Sequence, residues 1–335
     1  MNNKINVAVV GATGAVGREM MNILEERNFP IGQLKLFATE KSKGKKFTVQ
    51  GEDYVVDTIK PGSFKDVDIA LFSIGSTPSK KIAPQAAEEG AVVIDNSNAF
   101  RMDDNVPLVV PEINMEAAGQ HNGIIANPNC STIQMVLALK PIYDQVGIKR
   151  LVISTYQAVS GTGKDAIDEL EKQIKAYVNG EELESEVYPH QIAFNVLPHI
   201  DIFYDNGYTK EELKMERETK KILNDDSLRI TATAARIPVF YGHAEALNIE
   251  MEEELEIKEI KQLLDDTQGV EVVDVPDEEV YPLPVQSEEN DQVMVGRIRK
   301  DFSIDKGINM WVVANNLRKG AALNAVQIAE ELISI

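Results

Sequence analysis

A run of β-branched residues that breaks into three glycines constrains this chain more than any other feature. Residues 4–10, Lys-Ile-Asn-Val-Ala-Val-Val, have the pattern of a strand; Gly11, Gly14 and Gly17 follow in GATGAVG, and Val16, Met20 and Leu24 recur at helical spacing. Strand, tight turn and helix in that order build one unit of a parallel sheet. The free amides of the helix N-terminus then face a dinucleotide pyrophosphate. The spacing is not the commonest GxGxxG, so a plain strand-to-helix turn is the bland alternative. The position at the very start of the chain favours the dinucleotide, with Gly11, Thr13, Gly14, Ala15 and Val16 against it.

A second strand, about 34–38, runs into Thr39-Glu40-Lys41-Ser42-Lys43-Gly44-Lys45-Lys46. The end of such a strand meets the adenosine ribose, where an acid receives the 2′-hydroxyl of NAD and basic residues a 2′-phosphate. Glu40 suits the first. The lysine-rich cluster favours NADP, with Thr39, Lys41 and Ser42 as its contacts, and a solvated charged hairpin is the alternative. Further strands fit 67–72 and 91–94, flanking a helical pattern that begins near Pro78. The loops after them bring Ser73 and the 95–98 segment to the ligand edge of the sheet, with Arg101 just beyond.

Composition narrows the partners. The chain has 335 residues, Lys+Arg 34 against Asp+Glu 54, and a formal net charge of −20. That argues against a surface devoted to nucleic acid or anionic lipid. The length suits two domains. The start has too short an apolar run for a secretion signal and no stretch is long enough to span a membrane, so a cytoplasmic location is expected. The single cysteine excludes an intrachain disulfide, and the four histidines lack zinc-site spacing, so no metal is expected.

That cysteine, Cys130, lies in Asn127-Pro128-Asn129-Cys130-Ser131-Thr132, between a short strand at 124–126 and an apolar-periodic helix through Ile133, Val136, Leu137 and Leu139. A helix N-terminus stabilises a thiolate, so Cys130 reads either as a nucleophile or as an inert small hydrophobe. A strand over 150–156 ends in Gln157-Ala158-Val159-Ser160-Gly161-Thr162-Gly163, which brings Gln157 to a reacting carbonyl and Gly161 against a flat ring, or simply forms a loop. A long helix follows, with Ile167, Leu170, Ile174 and Val178 on one face. Extended patterns at 229–235, 243–249, 292–298 and 309–314 predict a largely antiparallel sheet in a second layer. His243 opens one of these strands, either as a proton carrier facing a cleft or as a buried structural histidine. The closing segment, 317–335, reads as an amphipathic helix that packs back on the first domain.

Taken together, GATGAVG at 11–17, NPNCST at 127–132, QAVSGTG at 157–163, EELKMERETKKIL at 211–223, RIPVFYGH at 236–243 and NLRKGAALNAVQIAE at 316–330 resemble bacterial aspartate-semialdehyde dehydrogenases over essentially the whole chain. The resemblance implies an α/β Rossmann-type NADP-binding domain plus a glyceraldehyde-phosphate-dehydrogenase-like α+β substrate and dimerisation domain. It also implies reversible, NADPH-dependent reductive dephosphorylation of 4-phospho-L-aspartate to L-aspartate-4-semialdehyde through a cysteine thioester, feeding lysine, methionine, threonine and diaminopimelate synthesis. By the resemblance Cys130 is the nucleophile, His243 the acid/base, and Gln157 orients substrate next to the thiol. Arg236 holds the substrate α-carboxylate and Glu211 its ammonium, while Arg101, Asn129 and Lys214 form the phosphate subsite. Asn316 lies near the nicotinamide carboxamide, with Ser160 and Gly161 as its floor.

The expected domains are 1–128, completed by the helix 317–335, and 129–316. A homodimer is implied, with a tetramer as the alternative. The chain departs from the family pattern at Thr39-Glu40-Lys41-Ser42-Lys43, where relatives carry serine and arginine, and at Asn98 and Asn315, where serine and aspartate are expected. The rival readings are an N-acetyl-γ-glutamyl-phosphate reductase and a catalytically silent NADP-binding sensor. Glu211 and NPNCST favour the free amino acid, and the intact Cys130, Gln157, Arg236 and His243 favour an enzyme.

Overall fold

A computed structural model describes residues 4–334. Residues 1–3 and 335, the outer ends of the predicted first domain and closing helix, lie outside the described residues. The chain divides into two compact units, Met1–Asn129 with Ala321–Ile335, and Cys130–Gly320. The sequence reading set the joints at 128/129 and 316/317; here they fall one and four residues later.

The first unit opens with β1 (Ile5–Val10), α1 (Ala15–Glu26), β2 (Ile31–Phe37), β3 (Lys46–Val49), β4 (Glu52–Asp57), β5 (Ile69–Phe72), α2 (Ser76–Glu88), β6 (Val92–Asp95), α3 (Pro111–Asn114) and β7 (Ile124–Ala126). The second unit contributes α4 (Cys130–Val146), β8 (Ile148–Gln157), α5 (Lys164–Asn179), α6 (Lys210–Leu223), β9 (Arg229–Arg236), β10 (His243–Met251), α7 (Ile257–Asp265), β11 (Val270–Val272), β12 (Val293–Asp301) and β13 (Gly307–Ala314). A π-helical turn at Arg318–Ala322 then leads into α8 (Leu323–Ser334), which returns to the first unit.

In the first unit the strands run in the order β3-β4-β2-β1-β5-β6-β7. All pair in parallel except β3, which turns back on β4. The β3–β4 hairpin starts at Lys46, the last residue of the run for which a solvated charged hairpin was the alternative reading. β1 has β2 on one side and β5 on the other, so the strand order reverses there and a crevice opens at the carboxyl ends, the ligand position of such sheets. Gly11 makes this geometry possible. Its φ is +91°, and a Cβ would stand 2.2 Å from the Ser73 carbonyl oxygen, while a Cβ on Gly17 would stand 2.2 Å from that of Gly11. Strand, turn and helix therefore close on one another only through glycine.

α1 buries Met20, Ile23 and Leu24 against Val7 and Val9 of β1 and against Leu323, Val326 and Ile328 of α8 in one apolar cluster. That packing explains why the last helix returns, as its apolar periodicity predicts. A polar anchor sets its position. Asn324, fully buried, donates to the Val109 carbonyl at 3.0 Å and to Asn127 Oδ1 at 2.7 Å. Asn127 in turn donates to Asn96 Oδ1 at 2.8 Å. Asn324→Ala leaves a buried acceptor unmatched at Asn127 and is expected to cost about 1–3 kcal/mol, read as a lower melting transition in calorimetry; an unchanged melt would show that the anchor contributes nothing.

The second unit holds a six-stranded sheet, β11-β12-β13-β10-β8-β9. Its interior pairs, β12–β13, β13–β10 and β10–β8, are antiparallel, the first two between predicted strands of the antiparallel sheet, whereas the outer pairs β11–β12 and β8–β9 are parallel. The predicted 150–156 strand is β8, between β10 and the edge strand β9. α4, buried along most of its length, packs against β8, β10, β12 and β13, with Ile133, Val136 and Leu137 among its buried residues.

Candidate active site

Strand register gathers the chemistry of the second unit at one edge of its sheet. The parallel ladder of β8 and β9 ends by pairing Gln157 with Arg236. Antiparallel β10 begins at the same edge, pairing His243 with Ala314 of β13. The loops that leave β8 and β13 there carry Ala158, Ser160, Gly161 and Asn316. Asn316 Oδ1 accepts from the Gly242 amide at 3.0 Å, and its Nδ2 donates to Ser160 Oγ at 3.0 Å. Gln157, Ser160, Gly161, Arg236, His243 and Asn316 thus come together at one edge.

Cys130 is the first residue of α4, a free thiol that is half-buried. Ser131 and Gln134 share that end of the helix. Gln157 Nε2 donates to Ser131 Oγ at 2.8 Å and to Glu211 Oε1 at 3.3 Å. Glu211 lies in the first turn of α6, whose start is set by a capping box between Thr209 and Glu212. Lys214, one turn on, bridges Glu211 Oε2 at 2.9 Å and Asp201 Oδ2 at 3.0 Å. Burial pushes the Asp201 carboxyl up, but the charge and hydrogen bond of Lys214, the Ile202 amide and the Lys210 charge together hold it below its usual range. Lys214 is therefore already an ion-pair partner, which the sequence did not show.

Two donors on this edge are buried without a partner, Arg236 Nε and His243 Nε2. Arg236 gives Nη1 to the Ala158 carbonyl at 2.6 Å. That contact uses Nη1 and leaves Nε without a partner; a guanidinium can grip a carboxylate with two parallel N–H donors. The Ala158 amide donates to His243 Nδ1 at 3.1 Å. An Nδ1 that accepts carries no proton, so the neutral ring holds its proton on Nε2. Burial, reinforced by the Arg236 cation and partly offset by Glu211, lowers the His243 pKa to about 3. Gly161 gives both groups room: a Cβ there would stand 2.9 Å from Arg236 Nη1 and 3.1 Å from His243 Nε2.

Sequence reasoning passed over three residues of this neighbourhood. Gly320 faces the nucleophile, since a Cβ on it would lie 2.9 Å from that of Cys130; the glycine inside NLRKGAAL was its only signal. Ser131 links the helix to Gln157. Glu245, two residues after His243 on β10, is wholly buried, and burial drives its carboxyl pKa well above the ordinary range. Its strand, His-Ala-Glu-Ala-Leu-Asn-Ile-Glu, alternates too imperfectly to mark it as inward-facing.

The remaining predicted residues lie in the first unit. Gly11, Thr13, Gly14, Ala15, Val16 and Ser73 sit at the carboxyl ends of β1 and β5, where α1 starts at Gly14 without a side-chain cap. Its first amides therefore remain open to a phosphate. Thr39 precedes a 3-10 turn at Glu40–Ser42, and Thr13 Oγ1 lies 3.3 Å from Ser42 Oγ. Lys41 is exposed, whereas Lys43 pairs with Asp57 at 3.2 Å. Arg101 is buried and donates to the carbonyls of Asn127 at 2.9 Å and Asn96 at 2.7 Å. Asn129 is buried next to Cys130 in sequence. Among the described residues no group of three or more His, Cys, Asp or Glu is placed to hold a metal ion, and no helix is long and apolar enough to cross a membrane.

The fold and this site define a two-domain semialdehyde dehydrogenase. The family described as "Semialdehyde dehydrogenase, NAD binding domain" matches residues 6–121, and "Semialdehyde dehydrogenase, dimerisation domain" matches residues 139–319. Aspartate-semialdehyde dehydrogenase of Aquifex aeolicus is 56% identical over 98% of this chain and 97% of its own; that of Bacillus subtilis is 50% identical over 99% and 98%. A Vibrio cholerae aspartate semialdehyde dehydrogenase II, solved in complex with ASA, superposes with a TM-score of 0.97 at 50% identity, covering 99% of both chains. The chain belongs to the aspartate-semialdehyde dehydrogenase family.

The geometry of His243 makes a claim of its own. Its imidazole should show no titration between about pH 5 and pH 8 in 15N-detected NMR, and Arg236→Leu should move its pKa up toward 6.5 by removing a neighbouring cation. A wild-type midpoint near neutrality would contradict this environment.

Proposed function

We propose that this chain catalyses reversible, NADPH-dependent reductive dephosphorylation of 4-phospho-L-aspartate to L-aspartate-4-semialdehyde. One observation carries the reading: two buried, unpartnered donors, Arg236 Nε and His243 Nε2, lie on the sheet edge with Gln157, which is hydrogen-bonded to the residue after the chain's sole cysteine. The fork of Arg236 suits the substrate α-carboxylate, and Glu211 suits its ammonium. An N-acetylated substrate has no cation for Glu211.

In the reducing direction the Cys130 thiolate, favoured by the helix N-terminus, attacks the acyl carbon, and the carbon–oxygen bond to phosphate breaks. Arg101, Asn129 and Lys214 are the proposed phosphate contacts. Bound NADPH supplies the hydride that converts the resulting thioester into a hemithioacetal oxyanion. His243 Nε2–H is the proposed donor to that oxygen. The oxyanion collapses by expelling the Cys130 thiolate, so no net proton need move. The acid/base role expected of His243 accordingly narrows to a neutral hydrogen-bond donor, because an Nδ1 already occupied by the Ala158 amide leaves Nε2 no lone pair with which to act as a base.

Gly11, Thr13, Gly14, Ala15, Val16 and Ser73 are the proposed cradle for the dinucleotide, supported by the close approach at Gly11 and the open amides of α1. Thr39, Lys41 and Ser42 are the proposed 2′-phosphate contacts, and Ser160, Gly161 and Asn316 those of the nicotinamide. A Candida albicans aspartate semialdehyde dehydrogenase, 27% identical with a TM-score of 0.77, was solved with NADP. A homodimer is the proposed assembly, supported by the matched dimerisation domain and by exposed Phe194, Ile202 and Phe203; light scattering tells it from a tetramer. A cytoplasmic location suits a thiol that must stay reduced.

The test is phosphate-dependent reduction of NADP by the purified protein with L-aspartate-4-semialdehyde, with NAD as a matched control. Activity should be abolished in Cys130→Ala. A folded wild-type protein that is inactive with both cofactors, or that prefers the N-acetylated substrate, would overturn the reading.

Arg236→Lys keeps the charge and loses the fork. Steady-state kinetics should show the KM for the semialdehyde rising on the order of 10- to 100-fold, with kcat changing less. An unchanged KM would place the α-carboxylate elsewhere.

A further inference from the structure

In NPNCST, Asn129 and Cys130 have tasks in the proposed reaction, and Asn127 has none. Parallel β6 and β7 end in register, with Asp95 opposite Ala126, so Asn96 and Asn127 step off the carboxyl ends of neighbouring strands side by side. Asn127 is fully buried, and each of its polar atoms is engaged. Its backbone amide donates to the Asp95 carbonyl at 2.9 Å. Its Nδ2 donates to Asn96 Oδ1 at 2.8 Å and to the Ala321 carbonyl at 3.3 Å, and its Oδ1 accepts from Asn324 of α8 at 2.7 Å. A buried amide with every hydrogen bond met specifies one arrangement of the elements around it.

The carbonyls of these same two asparagines hold Arg101. Its Nε donates to the Asn127 carbonyl at 2.9 Å and its Nη2 to the Asn96 carbonyl at 2.7 Å. Nε and Nη2 form one edge of the planar guanidinium, so two acceptors at the matching spacing fix both its position and its plane. That spacing is set behind the carbonyls, where the two asparagine side chains bond to each other. Asn96 is tied on its other side to β5, since the Phe72 carbonyl accepts from its backbone amide at 3.0 Å and from its Nδ2 at 2.9 Å. Asp95, also fully buried, takes the Ser97 amide at 3.0 Å and the Ser97 hydroxyl at 2.7 Å, which shapes the loop that leads on to Arg101.

We propose that Asn127 is a positioning residue for Arg101: its side-chain amide ties Asn96 to α8, and so sets the spacing of the two backbone carbonyls that hold the guanidinium. An arginine loses much rotamer freedom when it grips an anion. A guanidinium already held in place has met that cost before phosphate arrives. Asn127 touches no reacting atom; it acts through Arg101. The inference rests on the role proposed above for Arg101 as a phosphate contact.

The experiment reads the KM for phosphate in the semialdehyde, phosphate and NADP assay. Asn96→Ala cuts the link from its half-buried side and Asn127→Ala from its buried side, and both keep the backbone carbonyls. Each should raise the KM for phosphate about fivefold or more, while those for semialdehyde and NADP stay within about twofold. Adding Asn96→Ala to Asn127→Ala, or either change to Arg101→Leu, should have less than about a twofold further effect, because the three residues act as one unit. Arginine side-chain 15N–1H spectra give a readout apart from turnover. The Arg101 Nε–H, assigned by its loss in Arg101→Leu, should exchange with water about tenfold faster in Asn96→Ala than in wild type. This comparison stands even if Asn127→Ala does not fold.

An unchanged phosphate KM in Asn96→Ala, an equal rise in all three KM values, additive losses in the double variants or unaltered Nε–H exchange would each overturn the proposal. A phosphate KM unmoved by Arg101→Leu would instead overturn the phosphate role given to Arg101, and a wild-type enzyme with no turnover the function proposed for the chain. In both of those cases the exchange rates would still test what positions the guanidinium.

Discussion

The last rung of the β8–β9 ladder, where Gln157 stands opposite Arg236, is the constraint on which the rest of the site depends. Parallel strands finish at the same end, so two side chains separated by most of a helical layer in sequence arrive side by side. Antiparallel β10 and β13 then have to begin and finish at that same edge. Their register delivers His243 and, one loop later, Asn316. A slip of one residue in either ladder would turn Gln157 or His243 to the opposite face of the sheet. The backbone pairs, rather than any contact among the polar side chains, therefore decide which groups meet.

Given that placement, the electrostatics follow from burial. Arg236, Glu211, His243 and Glu245 are all almost fully shielded from water. A site of this kind tolerates charge only where it is matched. Glu211 is matched by Lys214, itself shared with Asp201. Histidine is kept neutral by burial and by the Arg236 cation. Both Arg236 Nε and His243 Nε2 remain as buried donors without a partner, suited to the carboxylate and the developing oxyanion of the proposed reaction. Preorganised donors of this sort do not have to turn toward the charge as it forms, which is where much of their advantage over water lies.

Much of this was legible in the sequence because the decisive elements are punctuated. Glycines mark the β1 turn, Pro128 and the polar NPNCST segment mark the start of α4, and QAVSGTG and RIPVFYGH mark the ends of strands. The closing helix was legible from its apolar period. The bounds of the β3–β4 hairpin were less so: a solvated charged hairpin was only the alternative for the 39–46 run, and β3, four residues long, carries too short an alternation to mark a strand. Pairing was also hidden: nothing in EELKMERETKKIL says that Lys214 is shared between Glu211 and Asp201, or that Lys43 is held by Asp57. The proton position on His243 depends on one backbone amide, Ala158, brought up by a turn 85 residues earlier. Long-range backbone contacts of that kind leave no local pattern.

His243 and Glu245 lie on one strand face yet bias stability in opposite directions with pH. The folded-state pKa of His243 is depressed from 6.5 to about 3. Its neutral form therefore contributes stability that is present above pH 6.5 and is lost as pH falls toward 3, because the unfolded chain takes up a proton that the folded site refuses. The folded-state pKa of Glu245 is raised from 4.5. Its contribution is greatest below pH 4.5 and declines as pH rises toward the folded value, since the unfolded chain then releases a proton that the site retains. At neutral pH the histidine carries no penalty of this kind, while the glutamate does. A strand position that held leucine would avoid that cost. Arg236 Nε and His243 Nε2, buried without partners on the same edge, carry a cost of the same kind.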